Sequence, residues 1–121
     1  MNRAELLEFH KELCAKAHAL MVRKNHDYAG RSGDDPFTNF RRSELLGICS
    51  TEAGFLVRFT DKLSRLITFV ESGQLLVKDE AVEDSCIDLL NYSVLFAALV
   101  KEKKEKIDKA DNSGQPSSDR S

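Results

Sequence analysis

Val77-Lys78-Asp79-Glu80-Ala81-Val82-Glu83-Asp84-Ser85-Cys86-Ile87-Asp88-Leu89-Leu90-Asn91-Tyr92 places charge inside strongly helical sequence. The pattern predicts a helix that begins near Asp79 and runs to about Glu102, with Val82, Cys86, Leu89, Leu90, Ser93, Phe96, Ala97 and Val100 as its core side. Glu80, Asp84 and Asp88 follow i, i+4, i+8 spacing and drift by only about 80° over two turns. Their carboxylates therefore form one stripe, which Asn91 extends. From Val94 to Val100 the sequence is apolar all round, which calls for burial on more than one face, either in the middle of a bundle or in a subunit interface; with so few helices to cover it, an oligomer is the expectation.

Two further amphipathic helices precede it. Between Glu5 and Lys24, the residues Leu6, Phe9, His10, Leu13, Ala17, Leu20 and Met21 share one side of a 3.6-residue wheel. Between Thr51 and Glu71, a second apolar stripe comprises Phe55, Leu56, Phe59, Leu63, Leu66, Ile67 and Val70, with Ser72-Gly73 as its stop. Thr38 to Ile48 reads as a short helix bent or ended near Gly47. The periodicity stops from Asn25 to Asn39, where Gly30, Gly33 and Pro36 mark a long loop. Tyr28, Phe37 and Phe40 are costly to leave in water, so part of that loop should pack as an ordered, binding segment. The expected fold is all-α, a small bundle of about four helices with a long ordered loop after helix 1, completed by oligomerisation. Residues 1–108 form its single domain, and the Ser/Asp/Gly/Pro-rich 109–121 a disordered tail.

The chain has 121 residues, 41% of them hydrophobic and 31% charged, enough for one modest core that self-association would enlarge. A net charge of −2 gives no overall drive toward nucleic acid or an anionic membrane, so no direct nucleic-acid binding is expected. No apolar run reaches the roughly 18 residues of a membrane span and no secretion signal is visible, so a cytoplasmic protein is expected. Cys14, Cys49 and Cys86 lack disulfide or zinc spacing and read as small buried hydrophobes.

The acidic stripe has two readings. Acids at a helix N-terminus are favoured by the macrodipole, which accounts for Glu80, but the effect fades within the first turn and leaves the repulsion at Asp84 and Asp88 unexplained. A hard divalent cation such as Mg²⁺ would relieve it and leave coordination places for phosphate oxygens. Glu80 and Asp88 lie about 12 Å apart along the axis. One ion is therefore held by an adjacent pair rather than by all three acids. Arg58, Lys62 and Arg65 on the preceding helix are cations of the kind that hold phosphates, and Asp61 either completes a metal site or pairs with Arg65 at i+4. Spacing alone leaves both a nucleotide-phosphate site with a divalent ion and a charged bundle surface. Glu52 falls on the apolar side of its helix, where macrodipole stabilisation, pairing or a cation would account for it.

Five ordered blocks resemble the phage and bacterial nucleotide modification associated domain proteins. They are Lys24-Asn25-His26-Asp27-Tyr28, Phe37-Thr38-Asn39-Phe40, Arg58-Phe59-Thr60-Asp61-Lys62-Leu63-Ser64-Arg65-Leu66, Val77-Lys78-Asp79-Glu80-Ala81-Val82-Glu83-Asp84 and Asp88-Leu89-Leu90-Asn91-Tyr92. The helical acidic pattern is also similar to the all-α nucleoside triphosphate pyrophosphohydrolases of the MazG and dimeric dUTPase group. That group's first motif, two glutamates three apart, is absent, since Phe55 stands three residues after Glu52. Together with the residue pattern, the resemblance implies an Mg²⁺-dependent nucleotide pyrophosphohydrolase acting on a nucleoside triphosphate or modified deoxynucleotide, or else a non-catalytic nucleotide binder that sequesters a signalling nucleotide or serves a nucleotide-modification complex. On that reading Asp61, Glu80, Asp84 and Asp88 hold metal, and Asp84 and Asp88 serve catalysis. Arg58, Lys62 and Arg65 bind phosphates, while Lys24, Asp27, Tyr28, Asn39 and Asn91 complete the substrate site.

Overall fold

The computed structural model describes the backbone of residues 1–29, 33–72 and 79–114 and the side chains of 1–25, 33–72 and 81–112. Among the described residues four helices follow in order: α1 (Arg3–Ala29), α2 (Thr38–Leu45), α3 (Thr51–Ser72) and α4 (Asp79–Gly114). The all-α expectation holds.

Local chemistry sets the helix starts. Asn2 and Glu5 form a reciprocal capping box on α1: the Glu5 amide donates to Asn2 Oδ1 at 2.9 Å and the Asn2 amide to Glu5 Oε2 at 3.0 Å. Ser50 caps α3 by accepting from the Ala53 amide at 3.1 Å, while Glu44 Oε1 accepts from the Thr51 amide at 3.1 Å. Between α2 and α3 the chain reverses at Gly47, whose φ of 75° is strained for any residue with a Cβ. The loop expected from Asn25 to Asn39 is shorter than its composition suggested, because α1 continues to Ala29. Residues 25–29 contain no helix breaker, and each added residue of an existing helix costs far less than a new nucleus. The start of the 109–121 tail also departs from expectation: α4 extends through Gly114, while 115–121 lie outside the described residues. Its Lys/Glu-rich run is supported by the Glu102–Lys106 pair at 3.1 Å.

The core is an aromatic cluster where α2, α3 and α4 meet. Phe37, Phe40, Phe55, Leu95 and Leu99 are buried, with Met21, Tyr92 and Phe96 packed against them. Phe37 and Phe40 thus pack as their cost in water demanded. Glu52 pairs with Lys103 and Lys62 with Asp88, an inverse order that makes α3 and α4 antiparallel.

The face that α4 turns inward differs from the one its hydropathy selects. Ser85, Ile87, Asn91, Leu95 and Leu99 are buried, whereas Ser93, Ala97 and Val100 are exposed. The fully buried residues centre about 150° round the helix from the expected set, of which Val82, Cys86, Leu89, Leu90 and Phe96 are half-buried. Three polar groups come inward, each with a partner: Asp88 on Lys62, Asn91 Nδ2 donating to Ala17 O at 3.0 Å, and Ser85 Oγ donating to Ala81 O at 3.1 Å. Satisfied polar groups are tolerated inside. The first two turns of α1 also depart from expectation, since Leu6, Phe9 and His10 are exposed and burial begins further along, at Ala17.

Arg41 ties α2 to both its preceding loop and α4, with Nε 2.7 Å from Asp35 Oδ2 and Nη2 2.9 Å from Glu102 Oε1. The bond from Arg41 holds the Asp35 carboxyl below its usual 3.8, and bonds from Lys106 and then Arg41 hold Glu102 below its usual 4.5. Because both folded values are depressed, this stabilisation is present above those unfolded values and is lost as pH falls through the folded ones. The melting-temperature gap between wild type and Arg41→Gln should therefore narrow as pH is lowered from about 6 to about 3. A gap that stays constant over that range would show that the cluster contributes no net stability.

Candidate functional site

Lys62 lies on the buried flank of α3 and its ammonium sits 3.0 Å from Asp88 Oδ2 and 3.9 Å from Asp61 Oδ2. The Lys62 and Asp88 side chains are only 13% and 19% exposed, so this pair is largely withdrawn from water, whereas Asp61 is 62% exposed. Arg65 Nε stands 3.7 Å from Asp61 Oδ2, the i, i+4 pair that the sequence allowed. Asp61 and Asp88 thus share one protein cation, which relieves the repulsion at Asp88 without any ion.

Asp84 differs. It is exposed, and among the described residues no cation lies within ion-pairing distance of it. One turn separates it from Asp88, and both carboxylates line a cavity of about 280 Å³ between α3 and α4. Arg65 lines it from the α3 side, and Leu66, Phe69 and Val82 supply apolar wall.

Among the described residues no three His, Cys, Asp or Glu side chains are placed to hold a metal ion together. The Glu80 side chain lies outside the described residues. Mg²⁺ commonly takes one or two carboxylates and completes its shell with water and substrate phosphates. Asp84 and Asp88 fit that demand in kind, with Lys62 as the competitor for Asp88. Glu52 is not a candidate partner for them: it pairs with Lys103 at 3.4 Å and lines a different cavity, with Arg41, Glu102 and Lys106.

No family model, curated protein or solved structure matches this chain. Among the described residues no helix is long and apolar enough to cross a membrane.

The remaining candidates do not converge on this cavity. Asn91 is 8% exposed and ties α1 to α4 through Ala17 O, lining a separate α1–α4 cavity with Cys14, His18 and Val94. Lys24 is half-buried on α1 and lines neither this cavity nor the one described next; the side chains of Asp27 and Tyr28 lie outside the described residues. Asn39 and Arg58 instead line a larger cavity of about 640 Å³ between α2 and α3. Several other lining residues, among them Arg42, Ser43, Leu46 and Ile48, were not legible as site residues in the sequence. Their one sequence signal was Gly47, the hook that folds α2 back on α3.

Proposed function

We propose that this chain is a nucleotide-handling protein that binds phosphates in the α3–α4 cleft and hydrolyses a nucleoside triphosphate or modified deoxynucleotide with Mg²⁺. The observation that carries the reading is the placement of Asp84 and Asp88, one turn apart on one cavity wall, with Arg65 across from them. The resemblance of the surrounding blocks to nucleotide-modification proteins supports the same substrate class. Mg²⁺ held by these two acids would polarise a phosphoryl group and supply an acidic water. Arg65 would bind phosphate oxygens, Leu66, Phe69 and Val82 would exclude water, and the unpaired Asp84 carboxylate would accept a proton.

A second reading, non-catalytic nucleotide binding, is favoured by the Lys62–Asp88 contact, which already neutralises one of the two acids. Pyrophosphate release from a panel of nucleoside triphosphates with Mg²⁺ separates them. Turnover that falls on the order of 10²-fold or more in Asp84→Asn is the expected result. Nucleotide binding without product, unchanged in that variant, selects the second reading, and no nucleotide affinity overturns both.

Self-association belongs to the same proposal. On α3, Leu56, Thr60, Leu63, Ile67 and Val70 recur at the 4-3-4-3 spacing of a coiled-coil seam. The four large apolar residues among them are 48–69% exposed. A second copy of the chain on this seam is the occupant that the spacing fits.

A further inference from the structure

The cavity between α2 and α3 has a chemistry unlike that of the α3–α4 cleft. Its charged lining consists of two arginines, Arg42 and Arg58, and no acid. Among the described residues neither guanidinium is within ion-pairing distance of a carboxylate, although Arg41 beside them engages two. The acid on the same helix, Glu44, is occupied in capping α3 through the Thr51 amide. Two uncompensated positive charges therefore face one concavity.

One of them is held in place by the core. The Arg58 guanidinium lies 4.5 Å from the centroid of the Phe40 ring, and Phe40 in turn stacks on Phe55 at 4.2 Å with an interplanar angle of 14°. A guanidinium stacked on an aromatic face keeps its in-plane N–H donors free to bind an anion. The floor is equally fixed. A Cβ added at Gly54 would lie 2.8 Å from Ser43 Oγ, so α2 and α3 approach here as closely as their small residues permit. Arg42 Nη2 donates to Asn39 Oδ1 at 3.5 Å, a long bond that leaves most of its donor capacity unspent.

The walls are apolar and exposed. Leu46, Ile48 and Val57 are 68, 73 and 64% exposed, side chains that gain from being covered. A volume of about 640 Å³ lies within the usual range of small-molecule sites. A charge near +2 matches a phosphate monoester, which carries roughly −1.5 to −2 at neutral pH, better than a carboxylate monoanion. We infer that the α2–α3 cavity is a metal-independent site for a small organic phosphate monoester, with Arg42 and Arg58 on the phosphate and a planar apolar group against Leu46, Ile48 and Val57. The site is separate from the α3–α4 cleft and does not depend on the reading given to it.

Phenyl phosphate is a minimal probe, titrated into the isotopically labelled full-length chain in EDTA, with phenol and inorganic phosphate in parallel. Amide shifts at Asn39, Arg42, Val57 and Arg58 are expected, saturating at lower concentration for phenyl phosphate than for either fragment. Arg42→Gln combined with Arg58→Gln should weaken binding at least tenfold, and Asp84→Asn should leave it unchanged. The unliganded spectrum of the double variant monitors its fold, and Arg42→Lys with Arg58→Lys should restore part of the affinity if folding is intact. Three results overturn the inference: no saturable shift at these amides, shifts that require Mg²⁺, or shifts that follow protein dilution rather than ligand, which would make a second copy the occupant.

Discussion

On the proposed self-association through α3, replacing Leu63 and Ile67 together by glutamate should leave only a single 13.6 kDa chain in sedimentation. Both residues lie in the α3 seam and are 48% and 54% exposed, so roughly half of each side chain remains to be buried by a partner. Full burial of such a side chain contributes about 1.5–3 kcal/mol. Half of that, over the four side chains of a dimer, is about 3–6 kcal/mol, or about 10²–10⁴ in Kd. Carboxylates facing one another without partners add a desolvation and repulsion cost on top. Thr68→Glu, an exposed position off the seam on the same helix, should leave the mass unchanged. A wild-type chain that sediments as a monomer at micromolar concentration would remove the seam from consideration.

The seam also shows what the sequence could and could not reveal. On α3 the apolar residues cover more of the circumference than one neighbour can bury: Phe55 points into the core while Leu56, Leu63, Ile67 and Val70 point out. Periodicity located this helix to within a residue or two but could not divide its stripe between a core side and an exposed side. The start of α4 at Asp79 was legible for the same reason, since an acidic first turn follows Gly73. Its rotation was not. Hydropathy placed Asp88 and Asn91 outside because it has no means of seeing Lys62 or the Ala17 carbonyl, the two partners that make those positions tolerable inside.

Much of the candidate site suffered the same loss. Arg58, Lys62 and Arg65 form one cationic column at i, i+4, i+7 in sequence. In space they diverge: Arg58 lies over Phe40, Lys62 lies on Asp88 and Arg65 borders the cavity with Asp84. A shared helix face says that charges are neighbours, but the packed partner decides which of them remains available. The paired charges of Lys62 and Asp88 could be found only once the antiparallel register of α3 and α4 was known.

Phe55→Ala should cost about 3–5 kcal/mol of folding free energy, the range for emptying a buried phenylalanine site. Phe55 is 0% exposed and touches the core from two directions, stacked on Phe40 at 4.2 Å and edge-on to Phe96 at 6.1 Å and 89°. Each aromatic pair adds about 0.5–1.5 kcal/mol beyond burial, which places the loss toward the upper end. Against a total stability of about 5–15 kcal/mol, the variant should be marginal. At fixed protein concentration its urea midpoint should fall by about 2 M, taking a slope near 2 kcal/mol/M. Phe9→Ala, at a position 41% exposed, removes the same side chain at the periphery and should cost no more than about 1 kcal/mol. A loss below about 1 kcal/mol at Phe55 would mean that the aromatic cluster does not anchor α2 to α3 and α4. The stack also supports Arg58 through Phe40, so a folded Phe55→Ala chain should bind phenyl phosphate more weakly even though Phe55 does not line the α2–α3 cavity.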